Sequence, residues 1–246
     1  MAKTYGQIKA QARTYLDEAT EADWDDEEVN REVNNSYQEI VTAVMEVYED
    51  FYLTSDLISL VENQQEYGSA DGFPTNIFKL RRVEVNYDTS KTNSIFYPAI
   101  GVTMDDIRSR LNDATSGVYS STSPVFYTYG FDSNFKLGLL PVPAVDSANG
   151  LKLWHIPYIA DLVDDDDTFN IPYADRYAQI AGKMAAGILL RKGQQEEPAS
   201  AQYMGEAMSD LERMKQQLEN HVAGDGKRVT ITDPMNTDFG LNNTHI

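Results

Sequence analysis

The period of the apolar residues changes twice along this chain, and that pattern restricts the fold more than any other feature. Val29, Val33, Tyr37, Ile40, Val44, Val47 and Phe51 recur at three- and four-residue spacing, the repeat of one buried helix face. The spacing stops after Phe51 and returns only beyond Pro172. Between them lie shorter apolar segments with alternating parity, broken by turn residues, which is the pattern of strands. A chain of 246 residues is long enough for one large domain or two small ones. The expectation is an α+β fold. Residues 1–56 and 170–224 form a helical body, with a long N-terminal helix and a C-terminal antiparallel helix hairpin. Residues 57–169 form a central β-rich insertion, and residues 225–246 form an extended C-terminal tail.

Local signals agree with the helical segments. Thr4 and Gln7 have capping-box spacing, and Ile8, Ala12, Tyr15, Leu16 and Ala19 then share a face. Asp25 is placed as an N-cap with Glu28 three residues on, and Trp24 and Val29 have the spacing of a hydrophobic staple. Asp26, Glu27 and Glu28 favour the positive end of the helix dipole. After Pro172, Tyr177, Ala181, Met184, Ala185, Ile188 and Leu189 share a face, and Gly193 marks a stop. The small residues Ala178, Ala181, Gly182, Ala185 and Ala186 permit close helix packing. A last helix opens at Pro198 and runs to about Ala223, with Ala201, Met204, Met208, Leu211, Leu218 and Val222 along its stripe.

In the β-rich insertion, strands are expected over residues 77–87, 117–129, 135–140 and 151–159, with one or two helical turns over 104–111. Residues 57–67 are polar and β-tolerant, and 68–74 read as a turn. Phe78 and Leu80 have one parity while Val83, Val85 and Tyr87 have the other. A bulge beside Arg81 and Arg82 would bring both sets to one face. Pro141, Pro143 and the Ser-Ala-Asn-Gly run ending at Gly150 suggest a hairpin-like connection. The tail offers only a short β-prone piece over 229–232.

The chain has no cysteine, which excludes disulfides and thiolate chemistry and fits assembly inside a cell. The N-terminus lacks an apolar signal core, and no stretch approaches the ~18 apolar residues of a membrane helix. With 39 acidic and 20 basic residues the formal net charge is −19, which opposes tight binding to a phosphate backbone. His155, His221 and His245 have no second ligand at metal-like spacing. His155 reads as a half-buried strand residue and His221 as a dipole contact at a helix end. Residues 164–167 are four consecutive aspartates, without the alternate spacing and central glycine of a calcium loop. They read as a solvated turn. No phosphate loop, nucleophile elbow or His-Glu-x-x-His occurs, so no catalytic, cofactor or metal residues are assigned. Lys79, Arg81 and Arg82 are the one tight basic cluster outside the helices, either a solvated strand face or a contact for an acidic partner or phosphate.

The order of these pieces resembles the head-to-tail adaptor proteins of tailed bacteriophages, the short-tailed type especially. The residues that carry the resemblance begin with Trp24, Glu28 and Val29, leading to Asn34, Asn35 and Ile40. Pro74 then precedes Arg82-Val83-Glu84-Val85. Trp154-His155-Ile156-Pro157, Leu162 before the acidic run and Ile171-Pro172-Tyr173 follow. Lys192-Gly193 closes a helix, and Ala201-Gln202-Tyr203 opens the last one. The resemblance implies a structural protein of the virion neck, assembled in the host cytoplasm, with no enzymatic activity. Its partners would be the portal protein, neighbouring copies in a ring, usually twelve, and a downstream tail or nozzle protein. DNA would pass through the ring without tight binding.

Expected contacts with portal or neighbouring subunits are Val229, Ile231, Met235 and Phe239, and those of the β module are Lys79, Arg81 and Arg82. Three other readings remain open from the sequence. One is another neck component, such as a tail-tube or fibre-attachment adaptor. The second is an acidic-site glycan hydrolase using two of the carboxylates, and the third is a general acidic interaction domain.

Overall fold

The computed structural model describes residues 3–17, 23–91, 95–111, 119–130, 134–193 and 197–224. In chain order its elements are α1 (Tyr5–Tyr15), α2 (Asp26–Val47), β1 (Thr54–Leu60), β2 (Glu66–Tyr67), β3 (Ile77–Val85), β4 (Tyr97–Pro98), β5 (Ile100–Gly101), α3 (Met104–Leu111), β6 (Val125–Tyr129), β7 (Lys136–Leu140), β8 (Ser147–Pro157), α4 (Ala174–Tyr177), α5 (Gln179–Lys192) and α6 (Glu197–Gly224). The fold is mixed α+β, with two sheets and several helices. Two compact units are present, one of Met1–Tyr48 with Val163–Ile246 and the other of Glu49–Leu162. The expected tail, residues 225–246, lies outside the described residues, as does His245.

In the first unit the helix starts are set locally. The Thr4 hydroxyl accepts from the Gln7 N–H (3.4 Å) and the Gln7 side chain accepts from the Thr4 N–H (3.1 Å), completing the expected capping box. Asp25 Oδ1 accepts from the Glu28 N–H at 2.7 Å, but the Glu28 carboxylate turns to Arg31 (3.2 Å) and Lys192 (3.9 Å) instead of back to the cap.

α5 packs against α1, α2 and α6, and its small residues allow those approaches. A Cβ at Gly182 would come within 3.4 Å of the Ile8 carbonyl on α1, and one at Gly187 within 2.7 Å of Met204 on α6. The Ser200 hydroxyl donates to the Gly187 carbonyl at 2.7 Å in the same contact. Buried Val29, Val33, Tyr37, Ile40 and Val44 of α2 and Ile180, Met184 and Leu189 of α5 contribute to the core. Two charged ties add to it. Glu32, 5% exposed, accepts from Lys192, and Lys183 bridges Glu206 and Asp210, each at 3.1 Å.

Two expectations about helices are corrected and one holds. α2 ends at Val47, because Tyr48 leaves helical space at φ −142° and ψ 83°; Phe51 therefore falls in a short 3₁₀ turn over Glu49–Tyr52. The segment after Pro172 is two helices, with Ala178 the residue between α4 and α5. Gly193 does end α5, but with φ −71° it needs no left-handed backbone. Its lack of a side chain makes room for the Trp24 ring, which a Cβ would meet at 2.9 Å.

The second unit holds two four-stranded sheets, in the orders β1-β8-β3-β4 and β2-β7-β6-β5. They share one core: Ile58, Leu60, Val83, Val85, Leu151 and Leu153 from the first sheet meet Tyr67, Leu137 and Leu139 from the second. The register of β3 against β8 slips between Leu80 and Arg82, where the parity change predicted a bulge, and Leu80 and Val83 both pack into this core. A second slip lies between Ile77 and Lys79. Phe78 does not share the core face as expected but stands 48% exposed. The Ser-Ala-Asn-Gly run is not a connection. It is the start of β8, bulged against β1 between the pairs Ile58–Leu151 and Leu60–Ser147.

Candidate functional site

Lys79, Arg81 and Arg82 sit together on β3, and each is paired within the second unit. Lys79 meets Glu49 at 2.6 Å, Arg81 meets Glu49 at 3.0 Å and Asp50 at 2.9 Å, and Arg82 meets Glu84 at 2.6 Å. The hydrogen bond from Lys79, chiefly, holds the Glu49 carboxyl below its usual range. Three cations thus face three carboxylates, and the patch is close to neutral. The Glu84 carboxylate also accepts from Trp154 Nε1 at 2.9 Å, while the Lys152 ammonium lies 4.2 Å from the centre of the Trp154 ring. The residues 152 and 154 thereby anchor a polar and aromatic lattice on the sheet.

A second cluster centres on Glu66 of β2. It accepts from the Tyr129 hydroxyl at 2.6 Å and from Tyr127 at 3.3 Å, with Lys136 at 3.8 Å. The Tyr129 hydroxyl is pushed up to about 12, first by its hydrogen bond to Glu66, and Tyr127 is raised first by burial and then by the same carboxylate. Both phenols therefore remain donors at neutral pH and brace β2 against β6. Nothing in the sequence pattern singled out Glu66, because its partners are brought to it by the β2-β7-β6 order.

His155 is not half-buried as expected but 2% exposed, with Nε2 2.7 Å from the Asp56 carboxylate. Its other nitrogen is buried without a hydrogen-bond partner among the described residues. The contact with Asp56 joins β8 to its neighbour β1 in the first sheet. The aspartate run also has an internal use. Asp165 pairs with Lys9 at 2.5 Å, the Tyr5 N–H donates to the Asp167 carbonyl at 2.7 Å, and the Asp167 carboxylate accepts from the N–H groups of Val163 and Asp164. The turn is thus tied to the start of α1. Among the described residues no group of three or more His, Cys, Asp or Glu side chains is arranged to hold a metal ion, and no helix is long and apolar enough to cross a membrane.

The second unit also carries a groove of about 340 Å³, lined in part by Ile77, Phe78, Leu80, Thr128, Phe135 and Tyr158. Phe78 and Tyr158 meet edge to face at 5.4 Å and are each nearly half exposed. The sequence assigned Phe78 to the core, so this exposed pair was not legible. Of the residues expected to make contacts, Lys79 lines the groove, Arg81 and Arg82 lie on the same strand, and Val229, Ile231, Met235 and Phe239 lie outside the described residues.

The sequence matches the family described as SU10 adaptor protein over residues 3–229. The chain belongs to that family. A comparison with curated proteins finds no match. Membership in this adaptor family supports a structural role in the phage neck and implies a protein that is not an enzyme. Of the four tail positions, Ile231, Met235 and Phe239 fall beyond the matched residues.

Proposed function

We propose that this SU10-type adaptor docks as a ring beneath the portal in the virion neck and forms part of the DNA exit channel. The family match across residues 3–229 is the observation that carries the reading. The partners are the portal protein, neighbouring copies, twelve by resemblance, and a downstream tail or nozzle protein. A helical body with a C-terminal hairpin forms the subunit frame. The β module, on its Lys79, Arg81 and Arg82 side, meets an adjoining subunit or the next component. Val229, Ile231, Met235 and Phe239 of the tail contact portal or a neighbour. A net charge of −19 suits a conduit that DNA traverses, since like charge keeps phosphate contacts from holding.

Light scattering on the protein alone and then mixed with portal tests the reading. The expected result is a monomer alone and a ring on portal, because a template supplies contacts that dilute copies lack. Rings formed without portal, and no binding to it, would favour another neck component. Removing residues 227–246 is expected to abolish ring formation on portal; undiminished rings would refute the role of the tail.

A further inference from the structure

The two sheets of the second unit are stitched along one side by a short strap, and the strap covers only half of that side. β4 pairs with β3 at Glu84–Pro98 and Val85–Tyr97, and the Ala99 N–H donates to the Val83 carbonyl at 2.8 Å. One residue later the chain crosses to the other sheet. β5 pairs with β6 at Ile100–Val125 and Gly101–Phe126, and the Val102 N–H donates to the Phe126 carbonyl at 2.8 Å. Beyond those contacts, no described strand pairs with residues 77–82 of β3 or 127–129 of β6 on this side. The groove beside Phe78, Leu80, Thr128 and Tyr158 lies along this uncovered half.

An uncovered strand edge presents backbone donors and acceptors to any extended peptide, and adjacent apolar pockets select its alternate side chains. We infer that this groove receives the C-terminal segment Val229-Thr230-Ile231-Thr232 of the chain, added as a strand in line with the strap. The inference rests on the proposed contact role of the tail and names its receiving surface.

Three observations favour this occupant. Val229 and Ile231 are β-branched and two residues apart, so in a strand both point to one face. The segment itself is uncharged, so it can enter a groove lined largely by Ile77, Phe78, Leu80, Phe135 and Tyr158 without desolvating a charge. Val229 lies five residues beyond Gly224, the last described residue, so extended chain can carry it up to about 17 Å from the end of α6, which limits it to a groove on its own or a neighbouring copy within that reach.

The absence of native cysteine makes disulfide trapping in the full-length protein direct. Thr128→Cys on the groove wall is combined with Val229→Cys, which shares the groove-facing side of the strand with Ile231, leaving Ile231 in place. Mild oxidation is expected to link this pair at least five times more than the control pair Ala148→Cys with Val229→Cys, Ala148 being an exposed residue of β8. A linked monomer or a linked dimer on a non-reducing gel both support the docking. Adding Ile231→Asp is expected to bring the yield down to the control. Equal linking of the two pairs, or a yield unchanged by Ile231→Asp, overturns the inference. If removing the tail abolishes rings on portal while no selective link forms, the groove assignment fails and the contact role of the tail stands.

Discussion

Replacing Lys192 by Met tests the charged tie between α2 and α5 and should leave a signature in pH. Glu32 is 5% exposed. Burial by itself raises its pKa, but hydrogen bonds from Lys192 and Asn35, with help from Arg31, bring it below the usual carboxylate range. Without Lys192, Asn35 at 3.2 Å and Arg31 at 3.5 Å remain. Stripping a buried ion of its only partner costs about 3–5 kcal/mol. One lost charge-assisted hydrogen bond costs about 1.5–3 kcal/mol. The surviving partners, and a Lys192 side chain that is 44% exposed, place the expected loss at the lower end, about 2 kcal/mol. Met preserves most of the aliphatic packing. At roughly 2–4 °C per kcal/mol, Tm at pH 7 falls by about 4–8 °C. In the wild type, Glu32 contributes stability above its unfolded pKa and loses it as pH falls through the lowered folded value. In the variant, burial dominates and the folded pKa rises, so acid protonates Glu32 and relieves the strain. Urea melts followed by circular dichroism should therefore show the gap narrowing between pH 7 and pH 4. A loss below about 0.5 kcal/mol at pH 7, or the same loss at both values, would refute the reasoning.

Two further substitutions probe local devices. Asp25→Ala removes the acceptor of the Glu28 N–H at 2.7 Å; it should cost about 1 kcal/mol in thermal melts while Asp25→Asn costs much less, and equal losses would discard the cap as the cause. Gly138→Ala on β7 would set a Cβ 2.1 Å from the Tyr127 ring. A loss of about 1–3 kcal/mol is expected in chemical denaturation, and combining it with Tyr127→Ala, which removes the clashing ring, should cost less than the sum of the two single losses; an unchanged midpoint in the single Gly138→Ala variant contradicts the packing.

Features set by neighbours in sequence were legible. The Thr4 capping box, the Asp25 cap, the bulge near Arg81 and the helix over Met104–Leu111 each follow from residues within a few positions. Features set by long-range pairing were not. The parity rule assigned Phe78 to the core because it allowed one bulge, whereas β8 imposes two register slips. The cluster of Lys79 and Arg81 read as open charge because Glu49 and Asp50 lie far upstream and reach it only through the fold. His155 has its partner, Asp56, across the β1–β8 pair. The groove needed both sheets and the crossing point of the strap, none of which periodicity encodes.

Long-range and short-range electrostatics act differently in this chain. A net charge of −19 opposes the encounter of two copies, but that repulsion fades beyond a Debye length of about 8 Å at physiological salt. At the β3 surface the cations are already matched by Glu49, Asp50 and Glu84, so a partner arriving there gains little from charge. What remains for contact in the second unit is uncovered strand edge and apolar surface, as at Phe78 and Tyr158. Such contacts are short-ranged, and an uncovered edge binds well only when a strand is held beside it in register. On the proposed role, charge would keep copies apart in dilute solution, whereas copies aligned on a common template would already be inside the range where edges and apolar side chains outweigh it. This is the physical reason to expect assembly on the portal rather than before it.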